Sequence, residues 1–298
     1  MQETIVGNEN VSQVILNTIN DLFGSLFSSI DNSVYTTLDD LAFIDLDIFS
    51  DRFFNKIFGT SSTNGLLLIA NSLLIAFALY YCFKLLYSNF SANSIERPYQ
   101  FVFKLLLYGI IINCSYFICQ QFIYINSLIS SSICEIGESI FGNNISFASL
   151  VQNLNSVISI EENSFNLFSF DGLIKSFVST CLFNLLFSYS LRYIMVKVFL
   201  LLTPFAFLSL VNHSTSWFFK MWFRTILSLL ILQSFVAIIL LIVFALDFNS
   251  TNVLSKLLCI GSIYALSRAN SYIKDLFGGI STDVSNNMNM MKGVIKSI

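Results

Sequence analysis

The sequence predicts an all-α, polytopic membrane protein, and three observations predict it. Only 11% of the 298 residues are charged, against about 25% in an ordinary soluble domain. Hydrophobic residues make up 55% of the chain, and its mean hydropathy is +0.73. The apolar residues, 32 Phe among them, fall in blocks too long for the core helices of a soluble protein. A water-soluble globular enzyme is excluded on these grounds, and a net charge of −3 gives no reason to expect a nucleic-acid-binding surface.

Residues 1–64 form the first region. The opening MQETIVGNEN carries two acids and no base, unlike a secretory leader, so a retained N-terminus is expected. From residue 11 to 41 the apolar positions Val11, Ile15, Ile19, Leu22, Leu26, Ile30, Val34, Leu38 and Leu41 recur every three or four residues. This predicts an amphipathic helix lying on the membrane or on a partner. Two membrane-length runs follow within residues 65–126, at 65–83 and 105–126. The polar, acidic stretch 127–171 reads as an extramembrane loop. Residues 172–267 then hold three crossings. A forty-residue apolar block, 172–211, is interrupted by Lys175, Arg192, Lys197 and Pro204, and Pro204 is expected to break it so that 205–211 runs along the interface. Residues 225–246 are the clearest span, with sixteen positions drawn from Leu, Ile, Val and Phe. The run 253–267 is shorter. Trp217, Phe218, Phe219 and Trp222, interleaved with Lys220 and Arg224, predict an interfacial aromatic belt. Gly278-Gly279 reads as a turn at the start of a basic tail, 268–298.

Charge predicts orientation. Residues 1–64 hold nine acids against Arg52 and Lys56, and 127–171 hold five acids and no base; segments 84–104, 192–224 and 268–298 carry eleven of the fifteen basic residues. By the positive-inside rule the acidic regions face outward and the basic ones the cytoplasm, giving about five crossings with the N-terminus out and the C-terminus in.

The sequence offers little catalytic chemistry. His213, the one histidine, has no carboxylate or cysteine at ligand spacing. Neither GxxxxGK[ST] nor GxGxxG occurs, so no nucleotide cradle is evident. The six cysteines form no CxxC motif. No enzyme activity, cofactor or metal is therefore expected. One polar feature stands out: Ser176, Thr180, Asn184, Ser188 and Arg192, spaced by four, share a helix face. That stripe either packs against neighbouring helices through hydrogen bonds or lines a wet passage in an oligomer. Arg192 is expected to snorkel to the cytoplasmic edge, and Leu182 and Leu186 to face lipid.

At residues 198–240, VFLLLTPFAFLSLVNHSTSWFFKMWFRTILSLLILQSFVAIIL, the chain resembles the TrbL-like inner-membrane subunits of conjugation and type IV secretion machines. That family has an apolar helix with a proline followed by aromatic and small apolar residues. A polar turn, a tryptophan, a basic residue and another span come next. Pro204, Phe205, Trp222 and Arg224 stand at those places. The layout of spans around a central outer loop is similar too. The resemblance implies a non-enzymatic channel or scaffold subunit in a bacterial inner membrane, homo-oligomeric and set in lipid. It would work with other membrane subunits and ATPases, in passing contact with translocated DNA or protein. A stand-alone transporter or channel for a small solute, or a pore-forming protein of a mobile element, are the rival expectations. A transporter would favour inverted repeats and intramembrane acids, and neither is evident.

Overall fold

A computed structural model describes Thr18 and residues 32–59, 64–91, 97–142, 145–150, 170–246 and 253–278. Residues 11–17 and 19–31 of the expected amphipathic helix, 143–144 and 151–169 of the expected loop and 279–298 of the tail, Gly279 included, lie outside the described residues. The elements are helices throughout: α1 (Asn32–Ala42), a 3-10 turn (Leu46–Phe49), α2 (Arg52–Phe58), α3 (Leu66–Ser91), α4 (Pro98–Asn113), α5 (Ser115–Phe141), α6 (Phe170–Leu201), α7 (Thr203–Leu208), α8 (Ser216–Phe244) and α9 (Val253–Phe277). Four of them, α3, α5, α6 and α8, contain stretches long and apolar enough to cross a membrane. The chain is thus an all-α, multi-pass membrane protein.

α8 is the centre of the bundle, packed by α5, α6, α7 and α9. In its most apolar stretch 56% of the residues are buried, against 6% for α3, so α3 is peripheral. Two sets of contacts fix directions. Arg192 reaches Leu229, and Trp222 reaches Phe199, so α6 and α8 are antiparallel. Asn71 bonds to Asn113 and Tyr81 stacks on Phe101, so α3 and α4 form a hairpin.

Several boundaries differ from the sequence expectation. The run 105–126 is not one helix, because the chain breaks at Cys114 between α4 and α5. Asn113 supplies the reason: its side-chain amide donates to the Gly109 carbonyl, 2.8 Å, and a side chain that takes the i−4 acceptor competes with the helical ladder. Nor does the loop begin at 127, since α5 continues to Phe141 and is capped by Gly142 at φ 70°. The last boundary, 267/268, also falls inside a helix. α9 carries Lys256, Arg268, Lys274 and Asp275, and it is not among the helices apolar enough to span.

Pro204 does end the long block, as expected. A proline at the second position of α7 gives no amide to the preceding turn and clashes with its carbonyl, so α6 stops at Leu201. The continuation does not lie along an interface, however. Thr203, Pro204, Ala206, Phe207 and Leu208 are all buried, because α7 inserts where α3, α4, α5, α6 and α8 meet.

The largest departure concerns residues 1–64. α1 does not lie on the outside of the fold; Leu38 and Ala42 are in the core against α6 and α8. The segment then descends through the bundle. In chain order, Asp39 accepts from the Phe147 amide, the Ile44 amide donates to Gln233, and Asp51 pairs with Lys197 at 3.0 Å. Asp51 and Lys197, expected on opposite sides of the membrane, therefore share one level. Charge counting could not see this, because it treats every acid in a segment as following the segment's majority. Cysteines placed singly at Asp51 and Lys197 should react with an impermeant thiol reagent from the same side of sealed vesicles. Opposite sidedness would contradict the packing.

Local chemistry explains the short elements on this path. Asp51 caps α2 by accepting from the Phe53 amide, and Gly59 at φ 97° ends it. A Cβ on Gly65 would collide with the backbone of Gly59, so the crossing of these strands of chain requires glycine there. Phe49, Phe54, Phe58 and Tyr116 fill the space beside it with edge-on and stacked rings.

Candidate functional site

The predicted stripe on α6 does not have one environment. Thr180 is exposed and donates to the Ser176 carbonyl of its own helix; Ser176 and Asn184 are half-buried; Ser188 and Arg192 are buried. The inner half therefore faces helices of the same chain, where a hydrogen-bonded packing role applies. Leu182 and Leu186 are not lipid-facing: Leu182 belongs to the core and Leu186 packs against it. The exposed apolar positions on α6 are instead Leu173, Phe177, Phe183, Phe187, Ile194 and Val198.

Arg192 does not snorkel. Its side chain is 0% exposed, its Nε donating to the Leu229 carbonyl and its Nη1 to the Ala42 carbonyl, both at 2.8 Å. The incoming N-terminal segment packs against this part of α6 and offers the last turn of α1, whose carbonyls have no onward helical partner. No carboxylate lies within ion-pair distance of Arg192 among the described residues. Nη2 has no partner there, nor do the Tyr189 hydroxyl and the Ser188 Oγ one turn away. A cation so enclosed is costly unless its hydrogen bonds are made. Two carbonyls on separate elements supply part of that compensation, and Arg192 thereby clamps α1 to α8.

One turn along α8 lies a second polar node that sequence reasoning missed. Gln233, 1% exposed, accepts from the Ile44 amide at 3.1 Å and the Asn126 amide at 3.0 Å, and donates to Ser130 Oγ at 2.8 Å. Ser130 in turn donates to the Ser127 carbonyl. This joins α5, α8 and the descending segment. A signal existed: Gln233 is the one amide side chain in residues 225–246, and Asn126 and Ser130 are four apart on one helix face.

The four residues of the family-like stretch divide as well. Pro204 is buried, Phe205 half-buried, and Trp222 buried with its indole donating to the Phe199 carbonyl at 2.8 Å. Trp222 is accordingly not part of an interfacial belt. It stacks among Phe207, Phe219 and Phe223 at centroid distances of 5.7–6.5 Å, filling the junction with α7. Trp217 does stay at the surface, 59% exposed. Arg224 is exposed and borders a groove against the end of α9. His213 is exposed in the turn before α8.

At the start of the descending segment, Asp39 receives the amides of Phe147 and Ala148. Burial nevertheless outweighs those donors, and with Asp40 alongside, pushes the carboxyl up to about 6. The fold thus favours the neutral acid. Stability should be highest below the ordinary carboxylate pKa near 4 and fall as pH rises through about 6. Asp39→Asn keeps an acceptor for the Phe147 amide and should flatten that dependence in thermal unfolding between pH 4 and 7. At the far end of the segment the Lys197 ammonium, donating to Asp51, holds that carboxyl below its usual range.

No protein-family model matches the chain, and no curated protein matches it.

Proposed function

We propose that this chain is a non-enzymatic inner-membrane subunit of a bacterial type IV secretion or conjugation apparatus, a channel or scaffold component that helps pass DNA or protein outward. The observation that supports the reading is the convergence of Pro204, Phe205 and Trp222 on one junction. Three of the four residues that carry the TrbL-like resemblance, Arg224 being the exception, lie where α3, α4, α5, α6 and α8 meet. A scaffold subunit is built in this way, its recognisable positions serving architecture instead of a reaction centre. In this reading the energy comes from partner ATPases, and the outer half of the α6 stripe, Thr180 and Asn184, faces another copy or another membrane subunit. Lys197, Lys220, Arg224 and the C-terminal tail lie on the cytoplasmic side, Asp51 with them, and the N-terminus lies outside.

The test is deletion and complementation in the bacterium that encodes the chain. Loss of the gene should abolish transfer of DNA or protein, with restoration by the parent chain, and the tagged chain should purify with secretion ATPases. Undiminished transfer in the deletion strain, with solute flux through the purified chain in proteoliposomes, would replace this reading by the small-solute transporter or channel.

A further inference from the structure

We propose that the groove between the start of α8 and the end of α9 binds the phosphate headgroup of an anionic phospholipid. The groove encloses about 670 Å³ and is lined by Phe219, Lys220, Phe223 and Arg224 of α8 and by Asp275 and Leu276 of α9, among others. Lys220 and Arg224 are four residues apart and so lie on one helix face. Both are exposed, and neither makes an ion pair with any described residue. Two cations in one groove, neither held in an ion pair with a described residue, are the complement of a phosphodiester.

Their depth matches a headgroup. From Thr225 to the end of α8 the sequence holds no charged residue, so Arg224 marks where the span leaves the hydrocarbon. Trp217, exposed two turns before Arg224, is the residue type that sits at this level. Beside the cations, Phe223 and Leu276 present exposed apolar surface on which the glycerol and the first methylenes can lie.

The groove is also preformed. Gly278 ends α9 at φ 70°, and a Cβ built there would lie 3.3 Å from Arg224 Cδ and 3.4 Å from its Nη1. The arginine stem thus rests on the C-terminal end of α9, which holds the guanidinium at the rim of the groove. Asp275 is the opposing feature. Its carboxylate leaves the groove with a net single positive charge and weakens the attraction for phosphate.

The probe is native mass spectrometry of the full chain, extracted in detergent and offered phosphatidylglycerol and phosphatidylcholine in equal amounts. The parent should retain phosphatidylglycerol preferentially. Each basic residue near a membrane surface contributes about fivefold to binding an anionic lipid, so Lys220→Gln with Arg224→Gln should reduce that preference by about 25-fold. Asp275→Asn should raise it. The single change Lys220→Gln, exposed and distant from the core, should give the intermediate value and serves if the double variant does not fold. Equal retention of the two lipids by the parent overturns the proposal. So does an unchanged preference in the Lys220→Gln chain, or displacement of the lipid by millimolar inorganic phosphate, which would make the site one for a free anion.

Discussion

Replacing Arg192 by alanine is expected to destabilise the chain by about 3 kcal/mol and to release the N-terminal segment from the bundle. The change leaves the Ala42 carbonyl without a partner, at a cost of about 1–3 kcal/mol. It also opens a cavity where a fully buried side chain stood, which adds a packing loss of similar size. Losing a buried charge gives some relief, and the choice of substituent shows how much. Arg192→Met fills the space and removes the charge, so it should be milder than alanine. Arg192→Lys keeps the charge but presents a compact ammonium that cannot bridge carbonyls on two elements, and it should be at least as harmful as alanine. Thermal unfolding in detergent would give the order parent, Met, Ala, Lys. A cysteine at Ile48, buried in the parent, should become reactive in the alanine variant. Full rescue by lysine would contradict a two-carbonyl clamp.

Gln233→Leu should cost about as much, for a different reason. A single interhelical hydrogen bond in a membrane averages only about 0.6 kcal/mol. The leucine, however, strands two buried groups at once, the Ile44 amide and the Asn126 side-chain amide, and removes the donor to the Ser130 hydroxyl, which keeps its own bond to the Ser127 carbonyl. An orphaned buried group costs about 1–3 kcal/mol, so a loss of about 3 kcal/mol or more is expected. The companion changes separate this from a simple size effect. Asn126→Leu and Ser130→Ala in the same chain remove the stranded Asn126 amide and the hydroxyl left without its donor and should recover part of the loss, leaving the Ile44 amide as the remaining cost. If the triple variant is as unstable as the sum of its single changes, the node is not a coupled unit.

Both experiments probe a feature that is only partly legible in the sequence. Arg192 attracts attention because a charge inside an apolar run is expensive, and that much composition reveals. The snorkelling expectation then follows from treating α6 as a lone helix in lipid, where the edge is the nearest polar environment. With α1 laid against it, two backbone carbonyls are closer than the edge. Gln233 shows the converse. Its neighbours on α8 are so apolar that one amide looks incidental, and its meaning comes from Asn126 and Ile44, which are 107 and 189 positions away.

The sequence by itself determined the class of protein: its apolar blocks are longer than any soluble core requires, and lipid leaves helices as the way to satisfy their backbone. It determined the break at Pro204 too, because the missing amide and the ring clash act within one turn. Tertiary structure alone decided where the acidic N-terminal region goes. Periodicity shows that residues 32–42 have an apolar face, but a lipid surface and the chain's own helices are equally good partners for such a face. The choice rests on long-range hydrogen bonds to Arg192 and Gln233 and on the Asp51–Lys197 pair. Local pattern fixes what a segment can bury; only the assembled bundle fixes against what.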